Sequence, residues 1–150
     1  MTTHSLPDEV YERVAFLSRT GDELADAGRL DDAIREYVKA LELLPEPVEA
    51  WSAATWLLTA IGDASFQKGD FEKARRALSD AMHCPEALGN PFIHLRLGQA
   101  QFELGNKERA KDELARAYMG GGEEVFEDED SKYLRWVLQF LEESEPEGGT

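Results

Sequence analysis

Three histidines, one cysteine and 31 carboxylates are the side chains through which this chain could do acid–base, nucleophilic or metal chemistry. Their spacing argues against each. His4, His83 and His94 never fall three or four residues apart, and no His-Glu-x-x-His pairing exists, so a convergent metal site lacks its ligands. Cys84 has His83 as its one basic neighbour, and adjacent residues on a helix point in different directions. A reactive thiolate would need a cation closer to its sulfur. A single cysteine also excludes an intramolecular disulfide and a cysteine-based zinc cluster. Carboxylate pairs such as Asp31 with Asp32, or Glu142 with Glu143, are ordinary for solvated helix faces and first helical turns. Gly120, Gly121 and Gly122 precede Glu123 and Glu124 rather than Lys-Ser, so a phosphate would be repelled there. Glu127 to Asp130 lacks the alternating ligands and central glycine of a calcium loop. Arg75 and Arg76 are too small a patch for nucleic acid. The expectation is a non-enzyme with no cofactor and no metal.

The elements that must position any site are helices. Ala, Leu, Glu, Lys and Arg dominate, apolar residues recur at helical spacing, and no stretch alternates with the period of a strand. Of 150 residues 42% are hydrophobic, enough for one domain with a true core. The longest apolar-looking stretch, Trp51 to Ile61, is far too short to cross a membrane. Met1 to Tyr11 has no apolar core and carries Asp8 and Glu9, unlike a secretory signal. These readings predict a cytoplasmic chain, 1–143 forming one domain and 144–150 a disordered tail.

The helix breaks repeat. Gly28-Arg-Leu-Asp-Asp-Ala33, Gly69-Asp-Phe-Glu-Lys-Ala74 and Gly105-Asn-Lys-Glu-Arg-Ala110 share a glycine and an alanine five positions on. Seven residues before each of these glycines stands another, at Gly21, Gly62 and Gly98. Four residues after each alanine stands Tyr37, Leu78 or Leu114, and seven after it Ala40, Ala81 or Ala117. Small residues at matched positions let two antiparallel helices approach closely, and the large ones fill the remaining space. Gly28, Gly69 and Gly105 supply the left-handed backbone of the turn, and Pro45 and Pro85 stop the second helices.

This framework resembles the tetratricopeptide repeat family. The resemblance implies an all-α solenoid of helical hairpins, with three repeats at about 14–47, 55–88 and 91–124. Two departures stand out: His94 sits where the family prefers Trp or Leu, and Lys107 replaces the apolar residue found at Leu30 and Phe71. The first interval is longer than the second. Its extra residues are expected to lengthen a helix running from about Val48 to Lys68, carrying Trp51 and Trp56 over the array. A final helix, about 131–143 and capped by Asp130 or Ser131, would close the solenoid. Ser5 to Phe16 would join or extend the first helix.

Function in such an array falls on the face made by the first helix of each hairpin. Counting along the framework places Ala15, Ser18, Asp22 and Ala25 there in the first repeat. Trp56, Thr59, Asp63 and Phe66 follow in the second, and Phe92, Leu95, Arg96, Gln99 and Phe102 in the third. Aromatic residues ringed by polar ones suit a protein partner. The alternative is that Phe66, Phe92 and Phe102 lie buried under the long helix or the cap, and the sequence leaves both open. Family members that clamp the acidic tails of chaperones use Lys, Asn and Arg. The matching places here hold Ser18, Asp22, Ala60, Phe92 and Arg96, of which only Arg96 fits.

A narrower resemblance rests on Asn90-Pro-Phe-Ile-His-Leu-Arg-Leu-Gly-Gln99, Glu113-Leu-Ala-Arg-Ala-Tyr-Met119, Val125-Phe-Glu-Asp-Glu-Asp130 and Lys132-Tyr133. This run is similar to a group of small bacterial three-repeat proteins commonly encoded beside secreted toxins and regarded as their immunity proteins. It implies a non-enzymatic module that neutralises a basic toxin domain through its groove. The other reading is a chaperone or adaptor holding an extended peptide. The charge distribution bears on the partner. The net charge is −15, with ten acids and two bases in residues 119–150, a local net of −8. Nucleic acid and anionic membranes are disfavoured, and a basic protein is the natural complement. Monomer and homodimer both remain compatible.

Overall fold

The computed structural model describes residues 5–144; most of the expected tail, 145–150, lies outside them. Among the described residues there are seven α-helices and no strand. They are α1 (Asp8–Asp26), α2 (Leu30–Glu42), α3 (Ser52–Lys68), α4 (Phe71–Ala81), α5 (Pro91–Glu103), α6 (Lys107–Gly121) and α7 (Ser131–Ser144). Short 3₁₀ turns occupy Val48–Ala50 and Glu123–Phe126. The chain divides into two compact units, one ending at Leu88 and the other beginning at Gly89.

Each unit is built on antiparallel hairpins whose turns share one geometry. Gly28, Gly69 and Gly105 have φ of 82°, 87° and 85°, the left-handed conformation expected of them. The residue after each glycine donates its N–H to the carbonyl five residues back: Arg29 to Leu24, Asp70 to Ser65, Asn106 to Gln101, at 2.8–2.9 Å. This pattern satisfies carbonyls that the helix end would otherwise strand. The same three residues then accept, through their own carbonyls, the first hydrogen bond of the next helix, from Ala33, Ala74 and Ala110. The sequence repeat is therefore a backbone repeat.

The paired glycines and large residues meet as the spacing predicts. A Cβ added at Gly21 would fall 2.5 Å from the Tyr37 ring, one at Gly62 2.8 Å from Leu78 Cδ2, and one at Gly98 2.7 Å from Leu114. Ala33, Ala40, Ala74, Ala81, Ala110 and Ala117 are fully buried beside them.

In the first unit α1 pairs with α2, α3 with α4, and α2 packs on α3. Val14, Ile34, Tyr37, Leu44, Leu57 and Ile61 fill the core between them. The expected long helix from Val48 does not form. Val48–Ala50 makes one 3₁₀ turn, Trp51 is extended at φ −99° and ψ 137°, and α3 begins at Ser52. The indole of Trp51 donates to the carbonyl of Pro45 at 2.7 Å, which holds the connection folded back and removes the overhang. In the first turn of α3 the Thr55 hydroxyl donates to the carbonyl of Pro85, 2.8 Å away, tying α3 to the loop after α4.

In the second unit α5 pairs with α6, and the chain then returns through the 3₁₀ turn to α7. Asn90 caps α5, its side chain accepting from the N–H groups of Phe92 and Ile93, with Pro91 preset at the first helical position. Asp130 caps α7 by accepting from the N–H of Lys132 at 2.9 Å. The capping helix follows at Ser131, as its caps predict.

Candidate functional site

The predicted partner-facing residues fall into two groups with different fates. In the first unit, Ser18, Asp22, Trp56, Thr59, Asp63 and Phe66 lie along α1 and α3. Trp56 is 40% exposed and Asp22 is exposed; Ser18, Thr59, Asp63 and Phe66 are half-buried. The two helices run side by side with their starts together: Tyr11 of α1 and Trp56 of α3 line one cleft of about 390 Å³ with Leu6, Asp8 and Trp51. Tyr11 is 55% exposed. Further along, the Tyr37 hydroxyl donates to Asp22, and the charges of Asp22, Asp63 and Asp26 all act on it. The face therefore runs from an aromatic end to an acidic end.

Tyr37 builds the acidic end. Its ring is buried over Gly21, and its hydroxyl donates to Asp22 Oδ1 at 2.6 Å. Burial pushes the phenol well above its ordinary value, helped by the hydrogen bond to Asp22 and the charges of Asp22, Asp63 and Asp26. Gln67 donates to Asp63 Oδ2 at 3.0 Å and steadies it. The hydroxyl of Thr59 turns back to the carbonyl of Thr55, and Phe66 packs on Phe71 with ring centres 5.5 Å apart. Thr59 and Phe66 thus serve the helix and the hairpin turn.

The second unit corrects the expectation of an open groove along α5. Leu95 and Gln99 are fully buried, and Arg96 is 8% exposed. The segment after α6 returns over this face. Glu129 accepts from Arg96 Nη1 at 2.5 Å and from Gln99 Nε2 at 2.9 Å, while Arg96 also donates to Gln99 Oε1 at 2.7 Å. Phe102 is half-buried against the cap, edge-on to Tyr133 and Trp136 at 5.4 and 5.0 Å. The ammonium of Lys107 lies 3.5 Å from the centre of the Phe102 ring. That cation–π contact accounts for a lysine at the apolar position of the turn. Only Phe92 of this group keeps substantial exposure, with the Arg96 guanidinium 5.0 Å from its ring centre.

The groups singled out for possible chemistry have structural partners. The ring of His94 is buried; Nε2 accepts from the N–H of Gly89 at 3.0 Å, which places the proton on Nδ1, 2.6 Å from Glu113 Oε1. Cys84 is buried, its thiol 3.6 Å from the carbonyl of Asp80. Burial, then the charges of Glu49 and Asp80, push that thiol up, away from a reactive thiolate. Among the described residues no group of three potential ligands gathers to hold a metal, and no helix is long and apolar enough to cross a membrane.

Tyr11 is the residue that repeat counting misses. The framework starts the first repeat near residue 14, yet α1 begins at Asp8. Tyr11 stands seven residues before Ser18 and eleven before Asp22, so it shares their face. That spacing was the available signal.

The fold and this face define an all-α helical-repeat scaffold. Residues 93–119 match the model of the tetratricopeptide repeat, and solved tetratricopeptide-repeat structures share the fold. The C-terminal repeat domain of an FK506-binding protein from Plasmodium falciparum superposes with a TM-score of 0.72 at 18% identity, covering 93% of this chain and 96% of that one. The first repeat domain of Spaghetti (RPAP3), bound to the HSP90 peptide SRMEEVD, gives 0.65 at 22% identity over 87% of this chain and 94% of that one. MamA gives 0.62 at 19% identity over 87% and 79%. No curated protein matches the chain in sequence.

Proposed function

We propose that the chain is a non-enzymatic interaction module that takes its partner on the α1–α3 face of the first unit. One observation carries this reading: Tyr11 and Trp56, both large and exposed, line one cleft from α1 and α3. Rigid aromatic anchors in a pocket are the residues that dominate binding energy at protein interfaces. Acidity, small size and the absence of a catalytic constellation in the sequence fit a stoichiometric inhibitor, an immunity protein that covers the basic surface of a toxin. Electrostatic steering would speed such an encounter.

A second reading, an adaptor for an extended peptide, is favoured by the structural relative that holds SRMEEVD. That acidic sequence itself is a poor match for a face ending in Asp22 and Asp63. Trp56→Ala should weaken partner binding by about 2 kcal/mol or more while the thermal midpoint stays within a few degrees; titration calorimetry with the partner measures it. Unchanged affinity would remove the α1–α3 face from the interface. Cutting the partner to a short segment separates the readings: an adaptor keeps its affinity, an inhibitor of a folded toxin loses it.

A further inference from the structure

His94 is buried, and the interaction face of the first unit makes no use of it. Both of its ring nitrogens are engaged, by partners of opposite kinds. Nε2 accepts from the N–H of Gly89 at 3.0 Å, and Nδ1 lies 2.6 Å from Glu113 Oε1. A backbone N–H can only donate and a carboxylate only accept, so the neutral ring with its proton on Nδ1 is the form that satisfies both. An apolar side chain at this place would fill the space and engage neither.

A second proton has one place to go. Nδ1 already carries one, so the newcomer enters on Nε2, on the lone pair that faces Gly89. Two N–H donors then oppose each other across that contact. Turning the ring over does not relieve them, because an imidazolium has no acceptor on either side. On the other side the same proton strengthens the contact: Nδ1–H to Glu113 becomes a charge-assisted pair. The ring therefore stays on α6, and the Gly89 side lets go.

The surroundings make that release cheap. Leu88, Gly89 and Asn90 are exposed, so water replaces the ring as the acceptor of the freed N–H. Gly89 is also the first residue of the second unit, directly after the division at Leu88. Other charged groups on the elements around the ring are engaged or exposed. Arg109 and Arg116, one turn before and after Glu113 on α6, are exposed, and Arg116 pairs with Asp112. Arg96 of α5 is held by Glu129, while Glu123 and Glu124 of the 3₁₀ turn and Glu86 of the connection are exposed.

We infer that His94 is a proton-operated latch on the connection that enters the second unit. Neutral, it holds Gly89 to the first turn of α5; protonated, it releases Gly89 and keeps Glu113. The device sets the order of residues 88–90 by pH and leaves the hairpin of α5 and α6 folded.

Nuclear magnetic resonance of the full, isotope-labelled chain tests this, titrated from about pH 8 to pH 5, the span over which imidazoles change charge. The ring signals of His94 and the amide proton of Gly89 should titrate with one midpoint, the amide proton moving upfield as its acceptor is lost. Exchange of that amide with solvent, normalised to the intrinsic rate at each pH, should rise about tenfold across the midpoint, the worth of one modest hydrogen bond. Glu113→Gln keeps an acceptor for Nδ1–H and removes the charge that favours the imidazolium, so both midpoints should move together to lower pH. A Gly89 amide that stays unchanged while His94 titrates overturns the latch. So does a His94 that takes no proton before circular dichroism shows the helices unfolding. Separate midpoints for the two signals, in either protein, overturn it as well.

Discussion

Replacing Gly62 by alanine should destabilise this protein, and the same replacement should stabilise it once Leu78 has been cut to alanine. In the native hairpin a Cβ at position 62 would lie 2.8 Å from Leu78 Cδ2, closer than packed carbon atoms allow. Leu78 is fully buried and has no open space to retreat into. Overpacking of this kind costs about 1–3 kcal/mol. Alanine recovers about 1 kcal/mol of helix propensity over glycine, so Gly62→Ala should be less stable by roughly 0–2 kcal/mol. Leu78→Ala alone leaves a cavity worth about 2–5 kcal/mol. In that background the new methyl group enters vacated space, so propensity and burial of roughly one methyl add, about 1–2 kcal/mol in favour of alanine. Urea unfolding of the four members of this cycle measures it. A Trp136→Phe background leaves Trp51 and Trp56, both in the first unit, as the fluorescent reporters. Equal effects of Gly62→Ala in the two backgrounds, within about 0.5 kcal/mol, would show the residues uncoupled and refute the close-approach argument.

Glu129→Ala should cost about 1–3 kcal/mol, because Arg96 and Gln99 both lose a hydrogen-bonding carboxylate; Glu129→Gln, which keeps an acceptor, should cost less, and thermal unfolding of the pair shows the order. The Glu103 carboxyl is raised by burial, but hydrogen bonds from Lys132 and Tyr133, with the charges of Lys132 and Lys107, hold it below its ordinary 4.5. Its contribution is therefore complete above about pH 4.5 and lost as pH falls through the lower folded value, so Glu103→Gln should flatten the acid limb of the thermal midpoint; an unaltered limb would count against the pairing. Cys84 should react with a thiol reagent far more slowly in the folded protein than in urea, since burial hides it and raises its pKa.

The hairpins were legible because their signal is steric and local. Gly21 with Tyr37, Gly62 with Leu78, and Gly98 with Leu114 stand at one fixed spacing, and nothing outside the hairpin is needed to interpret it. The cap at Asp130 was legible for the same reason. The connection before α3 was not: helix-compatible residues run from Val48 to Lys68, and the break at Trp51 depends on an indole reaching back to the carbonyl of Pro45. At the candidate site, Trp56, Asp22 and Asp63 followed from register alone. Arg96 and Gln99 did not, because Glu129, which engages both, lies some thirty residues later in the chain. Tyr11 lay beyond the edge of the repeat, where periodicity within α1 still extended but the template did not.

The return of the segment carrying Glu129 has a consequence for how the second unit behaves toward outside molecules. Glu129 and Arg96 belong to the same chain, 33 residues apart. Tethering presents a group at an effective concentration on the order of millimolar or higher. A free acidic peptide approaching α5 competes against that standing supply, whatever the dilution of the protein. The second unit thus carries its own resident acid, and it stays closed to carboxylate ligands without help from any partner.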